Sequence, residues 1–262
     1  MDHREVGEYW NGNADTWTQL ARAGYDIYRD FVNSPAFFAM LPNIAGLRVL
    51  DIGCGEGYNT RLLADRGARV VGIDIADRFI GHAIAAEREE PRGIEYRIAS
   101  AVELPFEDST FDAATAFMSL MDIPETERVL EEAFRVIRHG GFFQFSISHP
   151  CFDTPFRRTV RDEHGVKIGV EVGDYWGKVD GRVEQWLFSS APPEVKAGLE
   201  PFKTPRFTRT LSGWLNLALD TGFSIERLCE PYASDDAIRA RPRLARARVV
   251  ADFLQVRLRR PG

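Results

Sequence analysis

Residues 49–57 read Val-Leu-Asp-Ile-Gly-Cys-Gly-Glu-Gly, an apolar run that ends in an acid and continues with three glycines at alternate positions. The run Leu47–Ile52 has the length and β-branched content of a buried parallel strand, and Tyr58–Ala64 can begin a helix. Because glycine lacks a Cβ, it adopts a positive φ and lets a ligand lie directly against the backbone. The stretch therefore predicts a strand, a ligand-binding loop and a helix in a parallel α/β sheet.

A second strand, Arg69–Asp74, ends in an acid roughly 20 residues after the glycines, where a carboxylate can accept both hydroxyls of an adenosine ribose. Two ligands share this pattern, a dinucleotide and S-adenosylmethionine. In the dinucleotide fingerprint the third glycine comes one residue later, and a pyrophosphate lies on the helix N-terminus. Asp51, before the loop, would repel a pyrophosphate but accept from a cationic amino group. The charge pattern thus favours a ligand that bears an amino acid.

Two further segments follow in the order of a known family. Residues 99–112 read Ala-Ser-Ala-Val-Glu-Leu-Pro-Phe-Glu-Asp-Ser-Thr-Phe-Asp, and residues 132–142 read Glu-Ala-Phe-Arg-Val-Ile-Arg-His-Gly-Gly-Phe. Together with residues 51–57 and Asp74, they resemble the motifs of the class I S-adenosylmethionine-dependent methyltransferases, over roughly residues 45 to 148. The resemblance implies S-adenosyl-L-methionine as the cofactor and S-adenosyl-L-homocysteine as its product.

In this family the glycine loop holds the methionine end of the cofactor, the strand-end acid holds the ribose, and the segment after the third strand holds the adenine. The resemblance places these residues at the cofactor: Tyr9, Trp17, Asp51, Gly53, Cys54, Gly55, Gly57, Asp74, Ile75, Ser100, Ala101, Val102, Phe117 and Met118. Many members carry Asp where this chain has Ser100. A serine hydroxyl still accepts a hydrogen bond from the adenine amino group, but more weakly than a carboxylate does.

Alternating patterns predict the organisation of the whole chain. Strands are predicted at 48–52, 69–73, 94–98, 111–116 and 142–148, with helices between them, and a final antiparallel pair at 225–229 and 250–258. The fold class is α/β, with a Rossmann-like, seven-stranded and mostly parallel sheet covered by helices on both faces. We expect an N-terminal helical cap at 1–44, a cofactor-binding core at 45–149 and 206–262, and an inserted substrate lid at 150–205, between the fifth and sixth strands.

Candidate residues for the methyl acceptor surround the end of the fifth strand. His149 directly follows that strand, and its imidazole is the candidate general base, unless it only caps the strand or binds the lid. Aromatic residues of the cap and the lid either line an apolar substrate pocket or belong to the core: Trp10, Trp176, Trp186 and Phe188. Cys151 is placed like the nucleophile of RNA cytosine-5 methyltransferases, but the acidic chain favours a small buried thiol.

Composition limits the partners. The 262 residues are 44% hydrophobic and carry a formal net charge of −6, which suits one large domain and no nucleic-acid partner. No apolar stretch reaches the roughly 18 residues that span a bilayer, and the first residues lack a signal peptide's apolar segment. We therefore expect a cytoplasmic monomer or homodimer with no membrane partner. The three cysteines lack metal-type spacing, so no metal is expected.

An arginine cluster near the end of the chain is either a solvated face or a site for a phosphate or carboxylate: Arg239, Arg241, Arg243, Arg246 and Arg248. The sequence predicts an enzyme that transfers a methyl group in line to an oxygen, nitrogen or carbon atom of a small molecule, aided by positioning. Two alternatives stay open, a nucleotide-binding protein and a catalyst that uses the cofactor without methyl transfer. An RNA methyltransferase is a weaker third.

Overall fold

The computed structural model of the chain describes all 262 residues. It contains eleven strands: β1 (Arg48–Ile52), β2 (Arg69–Asp74), β3 (Glu95–Ile98), β4 (Phe111–Phe117), β5 (Ile137–Ser148), β6 (Phe156–Arg161), β7 (Lys167–Gly173), β8 (Asp180–Trp186), β9 (Phe202–Phe207), β10 (Ser224–Cys229) and β11 (Phe253–Arg259). Eight α-helices accompany them: α1 (His3–Arg22), α2 (Ser34–Met40), α3 (Tyr58–Ala64), α4 (Asp77–Glu89), α5 (Thr126–Val136), α6 (Pro193–Lys196), α7 (Leu211–Asp220) and α8 (Asp235–Ala240).

Seven strands form the central sheet, in the order β3-β2-β1-β4-β5-β11-β10. Neighbouring strands from β3 to β5 are parallel, whereas β11 runs antiparallel to both β5 and β10. The expected seven-stranded, mostly parallel, Rossmann-like sheet is confirmed. Strand order reverses between β1 and β4, and ligands of such sheets bind at the carboxyl ends of the strands beside this point.

Helices cover both faces of the sheet because side chains alternate between the faces along each strand. Leu50 and Ile52 of β1 pack with residues of α5 and α7 on one face. Val49 packs with residues of α2 and α3 on the other. This double coverage explains why β1 reads as a continuous apolar run.

The N-terminal segment is helical, as predicted, and is tied to the sheet by buried polar side chains. Between α1 and α2 lies a π-helical turn, Arg29–Asn33. The side-chain amide of Gln144 donates to the carbonyl oxygen of Phe37 at 2.8 Å, and the hydroxyl of Ser146 donates to Oδ1 of Asn33 at 2.9 Å. The end of β5 therefore fixes the position of the N-terminal helices.

Residues 150–205 contain most of two small antiparallel sheets, β6–β7 and β8–β9. Strand β9 packs against α1 and against the 3₁₀ turn Leu120–Asp122 that follows β4. The ring of Trp17 in α1 lies 5.5 Å from Trp186, 4.9 Å from Phe188 and 4.8 Å from Phe202, centroid to centroid. The division into 150–205 and 206–262 stays a prediction, and β9 runs across that boundary. None of the helices combines the length and apolar character that crossing a membrane requires.

Candidate active site

One large cavity lies at the carboxyl ends of β1, β2, β4 and β5, beneath α1, β8 and β9. Its volume is about 630 Å³, within the range typical of small-molecule sites. The predicted site residues in its wall are Trp10, Trp17, Gly53, Cys54, Gly55, Asp74, Ile75, Ser100, Ala101, Phe117, Met118, Trp186 and Phe188. Residues predicted for the cofactor and residues predicted for the lid thus share one cavity.

The glycine loop forms the part of the wall that follows β1. Gly53, Gly55 and Gly57 have φ values of 69°, 55° and 88°, in the left-handed region that side chains rarely adopt. A Cβ at Gly53 would lie 2.4 Å from the Cβ of Ser119, whereas a Cβ at Gly55 would meet no atom within 4 Å. Gly53 is therefore required by packing, and Gly55 leaves bare backbone open to the cavity.

Asp74 joins this loop to the end of β2. Its Oδ2 accepts from the N–H of Gly55 and its Oδ1 from the N–H of Ala76, both at 2.9 Å. Burial raises the pKa of Asp74, and the backbone hydrogen bonds oppose that rise. Each carboxylate oxygen has a second lone pair, so Asp74 can also accept from the hydroxyls of a ligand in the cavity.

Asp51 lies beneath the glycine loop and not in the cavity wall. Its two carboxylate oxygens accept from the hydroxyls of Thr115 at 2.8 Å and Thr60 at 2.7 Å, and the residue is 2% exposed. Burial raises the pKa of Asp51 to about 6, because two neutral hydrogen bonds offset only part of the desolvation. Asp51 thus supports the loop from below through Thr60 and Thr115, and its expected direct bond to an amino group stays a prediction.

Besides Asp51 and His149, four predicted residues lie outside the cavity wall: Tyr9, Gly57, Val102 and Trp176. Gly57 is required by packing and not by contact with the cavity, since a Cβ there would lie 2.5 Å from the hydroxyl oxygen of Tyr96. Trp176 is 84% exposed, and the centroid of its ring lies 5.5 Å from that of the Tyr175 ring. This corrects its expected place in the substrate pocket, because the aromatic residues of the lid that reach the cavity come from β8 and the segment after it.

His149 also departs from its expected position. Its Nδ1 accepts from the N–H of Cys151 at 3.2 Å, so its ring proton lies on Nε2, which is 2.8 Å from Oε1 of Glu230. The residue is 3% exposed and does not line the cavity. This corrects the prediction of a general base beside the methyl group, since both ring nitrogens have other partners. Cys151, the alternative nucleophile, is likewise absent from the cavity wall.

A charged group at the loop end of the cavity carries no signature in the sequence. The guanidinium of Arg29 lies 2.8 Å from Oδ1 of Asp30 and 3.6 Å from Oε1 of Glu56, and it stacks 3.8 Å above the ring centre of Tyr58. Arg29 and Glu56 both line the cavity. The one feature of the sequence that could have indicated this charged group is the position of Glu56 within the glycine loop. A cation and a carboxylate thus line the cavity beside the glycine loop.

The lid end of the cavity has its own charged groups, also unmarked by any motif. The guanidinium of Arg206 lies 2.8 Å from Oδ1 of Asp153 and 3.2 Å from Oε1 of Glu184. Asp122, in the turn after β4, makes no ion pair; burial and the charge of Asp153 raise the pKa of Asp122 well above its usual range. The one feature of the sequence that could have indicated Asp122 is its position shortly after Met118, close to the end of a predicted strand.

Comparison with known proteins agrees with this geometry. Residues 50–145 match a family model described as a methyltransferase domain. The chain is 35% identical over 115 residues to a probable S-adenosylmethionine-dependent methyltransferase of Mycolicibacterium smegmatis. The aligned region makes up 44% of this chain and only 43% of that relative. It is 30% identical over 172 residues to the demethylmenaquinone methyltransferase of Lactococcus lactis, covering 63% of this chain and 67% of that protein.

A solved structure matches this fold over most of the chain. The S-adenosylmethionine-dependent methyltransferase from Mesorhizobium loti superposes with a TM-score of 0.70 at 29% identity, over 86% of this chain and 96% of that one. The strand order, the glycine loop with Asp74, and these relatives lead to one conclusion: the chain belongs to the class I S-adenosylmethionine-dependent methyltransferases.

Proposed function

We propose that this protein transfers a methyl group from S-adenosylmethionine to a small-molecule acceptor bound beneath the lid. One observation carries the proposal: a single cavity of about 630 Å³ is lined both by the glycine loop with Asp74 and by residues of β8 and β9. A cofactor and an acceptor held there would share one enclosed space. The Lactococcus lactis relative, named for the small molecule demethylmenaquinone, supports an acceptor of that size class.

The residues of the cavity fit the cofactor. Gly55 offers bare backbone to the ligand. Arg29, paired with Asp30, and Glu56, paired with Arg22, put one charge of each sign at the end of the cavity where the amino-acid part of the cofactor would lie. Asp74 would hold the ribose hydroxyls, and Ser100 the adenine end. When bound, the cofactor supplies an electrophilic methyl group on a positively charged sulfur.

The chain's own contribution is to hold the acceptor and to exclude water. Trp10 and Trp17 of α1 and Trp186 and Phe188 of the lid form an aromatic part of the wall. Aromatic faces attract a sulfonium by ~0.5–2 kcal/mol through cation–π contact. Holding the two reactants in line contributes up to about 7–11 kcal/mol in favourable cases. Positioning can therefore supply most of the rate without a base at His149.

The test couples product formation to cofactor binding. The protein is incubated with S-adenosylmethionine and a panel of small molecules, and S-adenosylhomocysteine and methylated product are quantified together. We expect equal amounts of the two. Asp74→Ala should abolish turnover and calorimetric binding of S-adenosylhomocysteine, while Asp77→Ala, at the exposed start of α4, should preserve both.

Two results would count against the proposal. Tight binding of S-adenosylhomocysteine by the Asp74→Ala variant would remove the assigned cofactor site. Conversion of a panel compound without release of S-adenosylhomocysteine would instead favour a catalyst that uses the cofactor only through its charge.

A further inference from the structure

One acidic side chain of the cavity is left without a partner in the protein. Asp122 ends the 3₁₀ turn Leu120–Asp122, which directly follows β4, and it lines the cavity. Strand β9 packs on this turn, and Pro205 and Phe207 of β9 line the same cavity. Asp122 therefore lies where the cofactor side of the cavity meets the lid.

No positively charged side chain near Asp122 is free to neutralise its carboxyl group. The carboxyl group of Asp122 makes no hydrogen bond and no ion pair within the protein, and burial together with the like charge of Asp153 raises its pKa. Arg206 is already paired with Asp153 and Glu184, and Arg157 lies 3.6 Å from Asp153. The arginines at this end of the cavity are thus held by other carboxylates. An unpaired carboxyl group in a partly buried site is costly unless a ligand completes it.

Resting on the proposed function, we propose that Asp122 binds the amino group of the methyl acceptor, so that the substrate is a small primary or secondary amine. Burial and Asp153 disfavour the ionised form of Asp122, and a cation bound beside it would offset that cost. An ammonium brings this positive charge and only donates hydrogen bonds, which the ionised carboxylate accepts. Aromatic residues of the same cavity offer faces that attract a cation: Phe117, Trp186, Phe207 and Phe253. A phenolate, carboxylate or phosphate would instead meet the like charge of Asp153 and would disfavour the ionised form of Asp122 further.

The same contact supplies the proton step that N-methylation needs. A protonated amine has no free lone pair, so it must lose one proton before it can attack. Asp122 takes that proton, and the resulting neutral amine attacks the methyl carbon. The nitrogen–carbon bond forms as the carbon–sulfur bond breaks, the sulfur keeps the bonding pair, and the positive charge passes to the methylated nitrogen. The carboxylic acid of Asp122 then returns its proton to water.

Calorimetry on the unsubstituted protein saturated with S-adenosylhomocysteine tests the assignment by binding alone. The probes are phenethylamine, 2-phenylethanol and phenylacetate, which share a shape and carry a cationic, neutral and anionic group; hexylamine, hexanol and hexanoate form a second series. We expect each amine to bind about 10- to 100-fold more tightly than its alcohol, as hydrogen bonds between charged groups allow. The carboxylates should bind most weakly.

Variants assign the preference to one residue. Asp122→Asn, of equal size, should lower amine affinity to that of the alcohol while S-adenosylhomocysteine still binds. Asp122→Glu should retain a preference for the amine. The exposed Asp220, outside the cavity, is the matched control, and Asp220→Asn should change no affinity.

The outcomes separate the two proposals. If S-adenosylhomocysteine binds but neither amine exceeds its alcohol, the inference about Asp122 is overturned and the proposed function stands. A preference for the amine that survives in Asp122→Asn also overturns it. If S-adenosylhomocysteine does not bind the unsubstituted protein, the proposed function itself fails.

Discussion

The cofactor side and the lid side of the cavity are held together by different kinds of contact. On the cofactor side, backbone groups join the glycine loop to β2: the N–H of Cys54 donates to the carbonyl of Ile73 at 2.9 Å, and Asp74 accepts from two backbone N–H groups. On the lid side, ion pairs join separate segments across the cavity wall, as in the pairing of Arg206 with Asp153 and Glu184. The first kind of contact needs glycines and an acid at set spacings, and the second needs partners from distant parts of the chain.

The two sides also differ in burial. Leu50 and Ile52 of β1 are fully buried, whereas all six residues of β6 are exposed. The lid is fixed to the remainder mainly through the aromatic cluster around Trp17 and the packing of β9. Regions with few buried apolar contacts open locally at low free-energy cost. We therefore expect substitutions on the cofactor side to act on global stability, and those on the lid side to act on local opening.

Gly53→Ala should have the largest effect. The new Cβ would combine a positive φ with a 2.4 Å approach to the Cβ of Ser119, so we expect a loss of about 2–5 kcal/mol in the free energy of unfolding, measured with urea. Gly55→Ala has a positive φ but open space, and should lose only about 1–2 kcal/mol. Because Gly55 lines the cavity, its variant should lose affinity for S-adenosylhomocysteine instead.

Gly24→Ala is the control for the backbone conformation alone. Gly24 has a φ of 78°, open space around its Cβ position and no place in the cavity wall. It should match Gly55→Ala in stability and leave cofactor affinity unchanged. Equal stability of the Gly53 and Gly55 variants would show that the contact with Ser119 does not constrain the loop.

The difference between the two sides explains which elements the sequence predicts. Strand β1 has its predicted bounds, and β2 extends one residue further, because each is an apolar run closed by an acid. Strand β5 was expected from residue 142 but begins at Ile137, which pairs with Phe111 before a register shift. Such an irregularity depends on the neighbouring strand and leaves no periodic mark in the sequence.

The lid and its site could not be predicted in the same way. Strands β6 to β8 contain no buried residue, and β9 contains two. Strand β7 does show an apolar alternation, at Ile168, Val170 and Val172, whereas β6, β8 and β9 show none that would mark them as strands. Asp122 is notable only because the arginines near it pair elsewhere, and those pairings join residues as distant as Asp153 and Arg206. The lack of a partner is a property of the folded cavity and cannot be found from local sequence.

Trp17→Ala tests the lid side. Removing a ring that contacts Trp186, Phe188 and Phe202 should cost about 2–4 kcal/mol, since Trp17 is only partly buried, and should free the lid. We expect faster trypsin cleavage at the exposed arginines of β6, mapped by mass spectrometry, under conditions that leave the sheet intact. Trp176→Ala, at a residue 84% exposed, is the matched control and should stay within about 0.5 kcal/mol. Cleavage rates that do not differ between the two variants would mean that the aromatic cluster does not hold the lid.

His149→Asn should have the smallest effect on turnover, and it probes the point where the two sides meet, at the end of β5. Asparagine can still accept from the N–H of Cys151, but it loses the bond to Glu230, which is worth at most about 1 kcal/mol because that carboxylate is 61% exposed. A general base would cost ~10²–10⁴-fold in kcat when removed. We expect less than about a tenfold loss, because neither nitrogen of His149 faces the cavity. A loss in the range of a general base, with S-adenosylhomocysteine affinity intact, would mean that the ring turns into the cavity during the reaction and that the proton step belongs to β5 rather than to the turn after β4.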